Sequence, residues 1–175
     1  MTPKALLTNA IDPANAFLEK QGVHSDDRAR VLEMTIWGQE SDWRARRQIG
    51  GPARGFPQFE KGGGVAQLFA ATPLQLRAVC DELFIPYNQS DVFEAMAWND
   101  VLSAAMTRLL LWQDPAPLPA VGDVQAGWNY YQRNWRPGAP HPNVWPAKYG
   151  TAMGLVQSAK VPFEQLRSAV GGMPL

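Results

Sequence analysis

Apolar residues recur at intervals of three and four along most of this chain, the spacing that lines one face of a helix. Polar and proline residues punctuate the pattern. Asp12 and Pro13 predict the start of a helix through "PANAFLEKQG", ended by Gly22. Ser25 predicts an N-cap, with Asp26 and Asp27 in the first turn, for a second helix through "DRARVLEMTIWGQES". Residues 44–64 hold Gly50, Gly51, Pro52, Gly55, Pro57 and Gly62 to Gly64. They read as loop and turns, with room for a short strand or hairpin. Thr72-Pro73 opens "PLQLRAVCDELF", and Ser90 with Asp91 opens a long helix reaching Gln113. Its Val92, Met96, Leu102, Met106, Leu109 and Leu110 predict a buried central element. Residues 114–123 form a proline-rich connector, too short to divide domains. Asp123 is placed to cap "VQAGWNYYQRNW", and after the "RPGAPHP" bend helices are expected near residues 144–158 and 162–170. The expected architecture is mostly α: one domain over residues 1–175 with one irregular or β-containing loop wall.

Composition narrows the function classes. Sixteen basic residues balance sixteen acidic ones, so no basic excess points to nucleic acid and no acid block to a disordered tail. The lone Cys80 sits in an apolar-periodic segment and reads as a small core residue. The opening residues lack a long apolar stretch, and no run approaches the ~20 apolar residues of a membrane helix. No secretory signal and no membrane span are expected. A substrate outside the cytoplasm would then be reached as a virion component or through a separate release system. Seven tryptophans suit both a core and platforms for sugar rings.

One carboxylate stands out. Leu32, Ile36 and Glu40 share one helical face, so a stripe that should enter the core ends in an acid. Loss of solvation disfavours the charged form and raises a carboxyl pKa. An acid that keeps its proton near neutral pH can give it to a leaving oxygen, as in lysozyme. The plain alternative is a solvated glutamate paired to Arg44, Arg46 or Arg47.

Glu40-Ser41 at a helix end is followed by Gly55-Phe56-Pro57-Gln58-Phe59 and, later, by Trp128-Asn129-Tyr130-Tyr131. This order resembles the signature of lysozyme-like lytic transglycosylases and goose-type lysozymes: a helix-terminal Glu-Ser, a Gly-Leu-Met-Gln-Ile-like segment and a Tyr-Asn-Ala-Gly-like motif. The match spans residues 25 to 135. "QIGGPARGFPQFEKGGG" and "YYQRNWRPGAPHPNVWPAKY" are also similar to lysozyme-like proteins of tailed bacteriophages. Phe56-Pro57 replaces Leu-Met, and no Ala-Gly follows Asn129.

The resemblance implies a lysozyme-like domain that cleaves the β-1,4 bond between N-acetylmuramic acid and N-acetylglucosamine in peptidoglycan, with no cofactor. It implies Glu40 as general acid and then base. Ser41, Gln58 and Asn129 would bind acetamido or peptide groups, Tyr130 would orient Glu40 or the acetamido group, and Phe56 and Phe59 would form an apolar wall. Glu60 is the candidate second carboxylate, which would turn the reaction toward hydrolysis; its plain reading is a surface acid paired to Lys61. Asp42 points away if the helix continues. Along the aromatic run, Trp128 is expected inside and Trp135 or Tyr131 facing the groove. Arg133 and Arg136 are set to meet substrate carboxylates or to cap the helix. The expected partners are glycan strands and, for a phage protein, other virion components.

Other chemistries lack their marks. No P-loop ending follows the glycines, and His24 and His141 are far apart without acids at metal-ligand spacing. No Gly-x-Ser-x-Gly elbow occurs. A virion structural or ejected protein that keeps a lysozyme-like scaffold is the alternative, since fold does not dictate function. A hydrolase of another amino-sugar polymer, such as chitin, is a third.

Overall fold

The computed structural model describes residues 1–159, so the expected helix near residues 162–170 lies outside the described residues. The described chain is mostly helical. It begins with α1 (Pro3–Leu6), a wide π turn (Leu7–Ile11) and α2 (Asp12–Glu19) in one run. Asp12 is therefore not an N-cap: it is the first residue of α2 within a continuous helical run, and its N–H bonds Leu7 O, five residues back. Proline lacks the N–H that an α-helix interior needs. The widened turn carries the chain past Pro13 without breaking it.

α3 (Asp27–Ser41) is the central helix, with Val31 to Gly38 buried on every side. Its cap is Asp26 instead of Ser25. Asp26 Oδ1 accepts the N–H groups of Arg28 (2.9 Å) and Ala29 (3.3 Å). Ser25 Oγ instead accepts a hydrogen bond from Arg108 Nε at 2.9 Å. Aspartate and serine cap about equally well, so a tertiary contact with Arg108 decides the register.

The long helix expected from Asp91 is two helices, α6 (Gln89–Ala95) and α7 (Asp100–Trp112). Asn88 and Asn99, and not Ser90, cap them; Asn99 Oδ1 accepts the Leu102 N–H at 2.9 Å. An asparagine side chain that competes for backbone bonds ends one helix and starts the next. The expected burial holds for α7, where Leu102 to Leu111 are enclosed.

Between α3 and the next helical turn no named strand forms among the described residues. The hairpin expectation reduces to single antiparallel bridges, Arg47 with Arg54 and Arg54 with Phe59. Gly55 anchors this loop on α7. Its φ is +72°, and a Cβ there would lie 2.6 Å from Ser103 Oγ. A second π turn (Lys61–Val65) leads into α4 (Ala66–Ala71) and α5 (Pro73–Glu82). Thr72 Oγ1 donates to Leu68 O and does not cap α5. α8 (Val124–Trp135) begins at the expected cap, with Asp123 Oδ1 accepting the Ala126 N–H at 2.9 Å. α9 (Trp145–Ser158) runs along α3.

The buried side chains of these elements join in one apolar cluster. Cys80 is fully enclosed within it, and burial pushes its thiol up to about 11. Among the described residues no helix is long and apolar enough to cross a membrane.

Candidate active site

α3 carries Leu32 and Ile36 into the core and ends at a cavity of about 780 Å³. Glu40, half-buried, lines that cavity. The helix stops just beyond it because Asp42 and Trp43 adopt left-handed backbone, with φ of 52° and 56°. Trp43 then folds back over the helix. Its Nε1 donates to Met34 O at 2.9 Å, and its ring lies where a Cβ at position 38 would be, 2.4 Å away. Gly38 is what permits this closure, which fixes the end of α3 and Glu40 with it.

Glu40 makes no ion pair among the described residues. Arg44 pairs with Asp42, Arg46 with Asp100 and Arg47 with Glu94. Its one hydrogen bond comes from the hydroxyl of Tyr131, which donates to Oε1 at 2.5 Å. Oε2 has no protein partner among the described residues. Burial raises the Glu40 carboxyl to about 7, against the Tyr131 hydrogen bond, which lowers it. Removal from water without a counter-charge has this effect on any carboxylate. The Tyr131 hydroxyl is pushed well above its usual range, by burial first and by Glu40 next, so it remains a donor.

An aromatic stack holds Tyr131. Its ring lies 5.1 Å from Trp145 and 6.3 Å from Trp135. Trp135 also lines the cavity, its ring 5.3 Å from Phe59 and its Nε1 donating to Pro57 O at 3.0 Å. α8 and the 55–59 loop are thus joined. Trp128 is enclosed while Tyr131 and Trp135 line the cavity, as the aromatic run predicts.

The remaining candidates divide. Gln58 and Phe59 line the cavity beside Glu40. Gln58 Nε2 is committed to Gly55 O (2.7 Å) and Ala45 O (3.2 Å), so its carbonyl oxygen is the group left to offer. Glu60 lies exposed on the rim of the same cavity. The expected Glu60–Lys61 pair does not form; Lys61 Nζ donates to Ser90 Oγ instead.

Four candidates lie elsewhere. Phe56 is buried between the Trp37 ring, 5.1 Å away, and the Arg46 guanidinium, 4.6 Å away. Ser41 Oγ donates to Trp37 O and closes the last helical turn. Asn129 is exposed outside the cavity, accepting a hydrogen bond from Gln125. Tyr130 is buried and its hydroxyl donates to Leu111 O at 2.8 Å. Successive residues on a helix point about 100° apart, so the tyrosine facing Glu40 is the next one along. Trp128, Tyr131 and Trp135 follow the i, i+3, i+7 spacing of one face, a signal that selects Tyr131 without any motif.

Gln39, Gln48, Gln67 and Asn134, which no sequence motif marks, also line the cavity, as does His141. Five side-chain amides contribute to the lining: Gln39, Gln48, Gln58, Gln67 and Asn134. Asp42 turns away, held by Lys148 and Arg44 beyond the helix end.

No family profile, curated protein or solved structure matches the chain.

Proposed function

We propose that this protein is a peptidoglycan-cleaving lytic transglycosylase of the lysozyme-like kind, with Glu40 as its acid and base. The observation that carries the reading is a glutamic acid near pKa 7, free of any ion pair among the described residues, on the wall of a cavity large enough for sugar units. The resemblance of Glu40-Ser41 and the 55–59 segment to the transglycosylase signature points the same way.

In this reading the Glu40 proton goes to the oxygen bridging two sugars, and the anomeric C–O bond breaks. The substrate's N-acetyl group stabilises the positive charge left on the anomeric carbon. Glu40, now a carboxylate, takes the proton of the same sugar's 6-hydroxyl as that oxygen bonds the anomeric carbon. The glutamic acid is restored, no water is consumed, and the product is a 1,6-anhydro sugar. Tyr131 holds Oε1 through its hydrogen bond, so Oε2 is the oxygen that moves the proton. Nε2 of Gln48, Oε1 of Gln58 and Oδ1 of Asn134, amide groups without a protein partner among the described residues, suit hydroxyl and acetamido groups. A single carboxylate suffices for this route, whereas ordinary glycosidases use two.

The test is clearing of purified cell walls by wild type and by Glu40→Gln. Wild type clears them. The variant does not, while its circular dichroism spectrum is unchanged. Clearing by Glu40→Gln would sink the assignment.

A second reading, a virion scaffold protein of the same architecture, is favoured by Phe56 and Asn129 lying outside the cavity. Capture of the protein on cell walls without turnover would support it.

A further inference from the structure

Ten arginines lie among the described residues, and nine have a side-chain partner. Seven hold carboxylates, Arg77 lies over the Tyr87 ring, and Arg108 donates to Ser25. Arg136 alone has none among the described residues, and it lines the Glu40 cavity. It stands at the C-cap of α8 in left-handed backbone, φ 47° and ψ 53°, where glycine is the usual occupant. Its neighbour in sequence, Arg133, is committed elsewhere, with Nε donating to Asp114 at 2.8 Å and the guanidinium over Tyr130. Among the residues lining the cavity Arg136 is the sole permanent cation, in a lining that also holds five side-chain amides and the carboxyls of Glu40 and Glu60.

We propose that Arg136 is a specificity residue that takes a carboxylate of the bound strand, so that the site prefers acid-bearing glycan over neutral amino-sugar chains. The proposal rests on the reading of the cavity as a glycan site. A guanidinium presents a planar fork of donors that matches a carboxylate two-for-two. On an intact strand that acid is a carboxylate of the stem peptide, because the lactyl carboxyl is tied up in the amide to that peptide and becomes a free carboxylate only once the peptide is removed.

Calorimetric binding in the Glu40→Gln background tests this without turnover. Four probes are used: soluble peptidoglycan strands, strands stripped of peptide, strands whose carboxylates are amidated, and chitin oligosaccharide. Adding Arg136→Gln should weaken binding of intact strands about tenfold, the scale of one charge-assisted pair. It should leave amidated strands and chitin within about twofold, inside the ordinary scatter of surface substitutions. The selective loss should shrink with added salt. On stripped strands the effect should be lost if Arg136 takes only the peptide's acid, and retained if the newly freed lactyl carboxylate can take its place.

Arg136→Gly serves as the control for folding. It relieves the left-handed backbone, so its thermal midpoint should hold or rise while acid recognition is lost as in Arg136→Gln. Equal weakening on all probes, no weakening on intact strands, or no strand binding with Arg136 in place would each overturn the proposal. Failure of wall clearing by wild type would count against catalysis and leave these binding outcomes standing.

Discussion

The Tyr131 hydroxyl meets Glu40 Oε1 at 2.5 Å, joining α8 to the last turn of α3 across 91 residues of sequence. Two opposing effects meet at this contact. Burial favours the neutral acid, and the donated hydrogen bond favours the carboxylate. The balance near 7 leaves both forms of Glu40 populated at neutral pH, which a residue acting first as acid and then as base requires.

Tyr131→Phe removes the effect that lowers the Glu40 pKa and keeps the ring. The Glu40 titration should move upward by about one to two pH units, from the ~1.5–3 kcal/mol of a hydrogen bond to a charged group. The alkaline limb of the rate profile on soluble strands should follow it, with a lower maximal rate because Oε1 is no longer held. A limb that stays put, or moves to lower pH, would contradict this account of the contact.

Trp135 ties α8 to the loop carrying Gln58 and Phe59 through its Nε1–Pro57 O bond and its contact with the Phe59 ring. Trp135→Phe should cost about 1 kcal/mol, the net worth of one hydrogen bond. Trp135→Ala should cost about 2 kcal/mol, below the range for fully buried tryptophan because this one is half-buried. Urea denaturation measures both. An alanine variant as stable as wild type would show that the tie contributes nothing.

Gly38→Ala places a methyl group 2.4 Å from the Trp43 ring. The ring must shift, and its hydrogen bond to Met34 O with it. Overpacking of this kind costs about 1–3 kcal/mol. Because Trp43 closes the turn after Glu40, wall-clearing rate should fall along with the thermal midpoint. An alanine variant with full rate and unchanged midpoint would contradict the proposed bracing of the helix end.

Glu33, two turns before Glu40 on α3, is fully buried. Burial raises its carboxyl to about 8, against the pull of Arg108, Asn15 and Arg30; Asp12 adds to the rise. Asn15 Nδ2 donates to Oε2 at 2.8 Å, while Glu33 Oε1 and Asn15 Oδ1 lack partners among the described residues. A proton on Glu33 turns one acceptor of this acceptor-rich pair into a donor. Between about 4.5, its ordinary value, and about 8 the folded chain keeps a proton that the unfolded chain has released. The unfolded state binds fewer protons there, so stability is full below that window and falls as pH rises through it. The slope from one such group is at most about 1.4 kcal/mol per pH unit. Glu40 adds a slope of the same sign up to about 7. Glu33→Gln should flatten the decline of the thermal midpoint between pH 5 and 8. A variant declining as steeply as wild type would place the protons elsewhere.

Much of the fold was legible because caps and apolar spacing are local signals. Asp123 capping α8 and the Leu32–Ile36–Glu40 stripe came directly from them. The errors came where a distant partner decides. Ser25 and Asp26 are equivalent as caps until Arg108 takes Ser25. The break at Asn99 is invisible when Met96, Leu102 and Met106 keep a helical rhythm across it. At the site, motif analogy selected Tyr130 and Asn129, while helical spacing from Trp128 selects Tyr131. Phe56 reads as a cleft wall until Trp37 and Arg46 are seen to enclose it. Gln39, Gln48, Gln67 and Asn134 carry no local mark, and tertiary folding alone brings them together.

In the proposed reaction Glu40 moves the one proton of a water-free cleavage. Mass spectrometry of muropeptides released from purified walls tests it most directly. Wild type should release anhydro-muropeptides, lighter by one water than hydrolysed ones, and Glu40→Gln none. Reducing-end muropeptides from wild type, abolished by Glu60→Gln, would contradict that reaction and assign the second carboxylate to the cleavage.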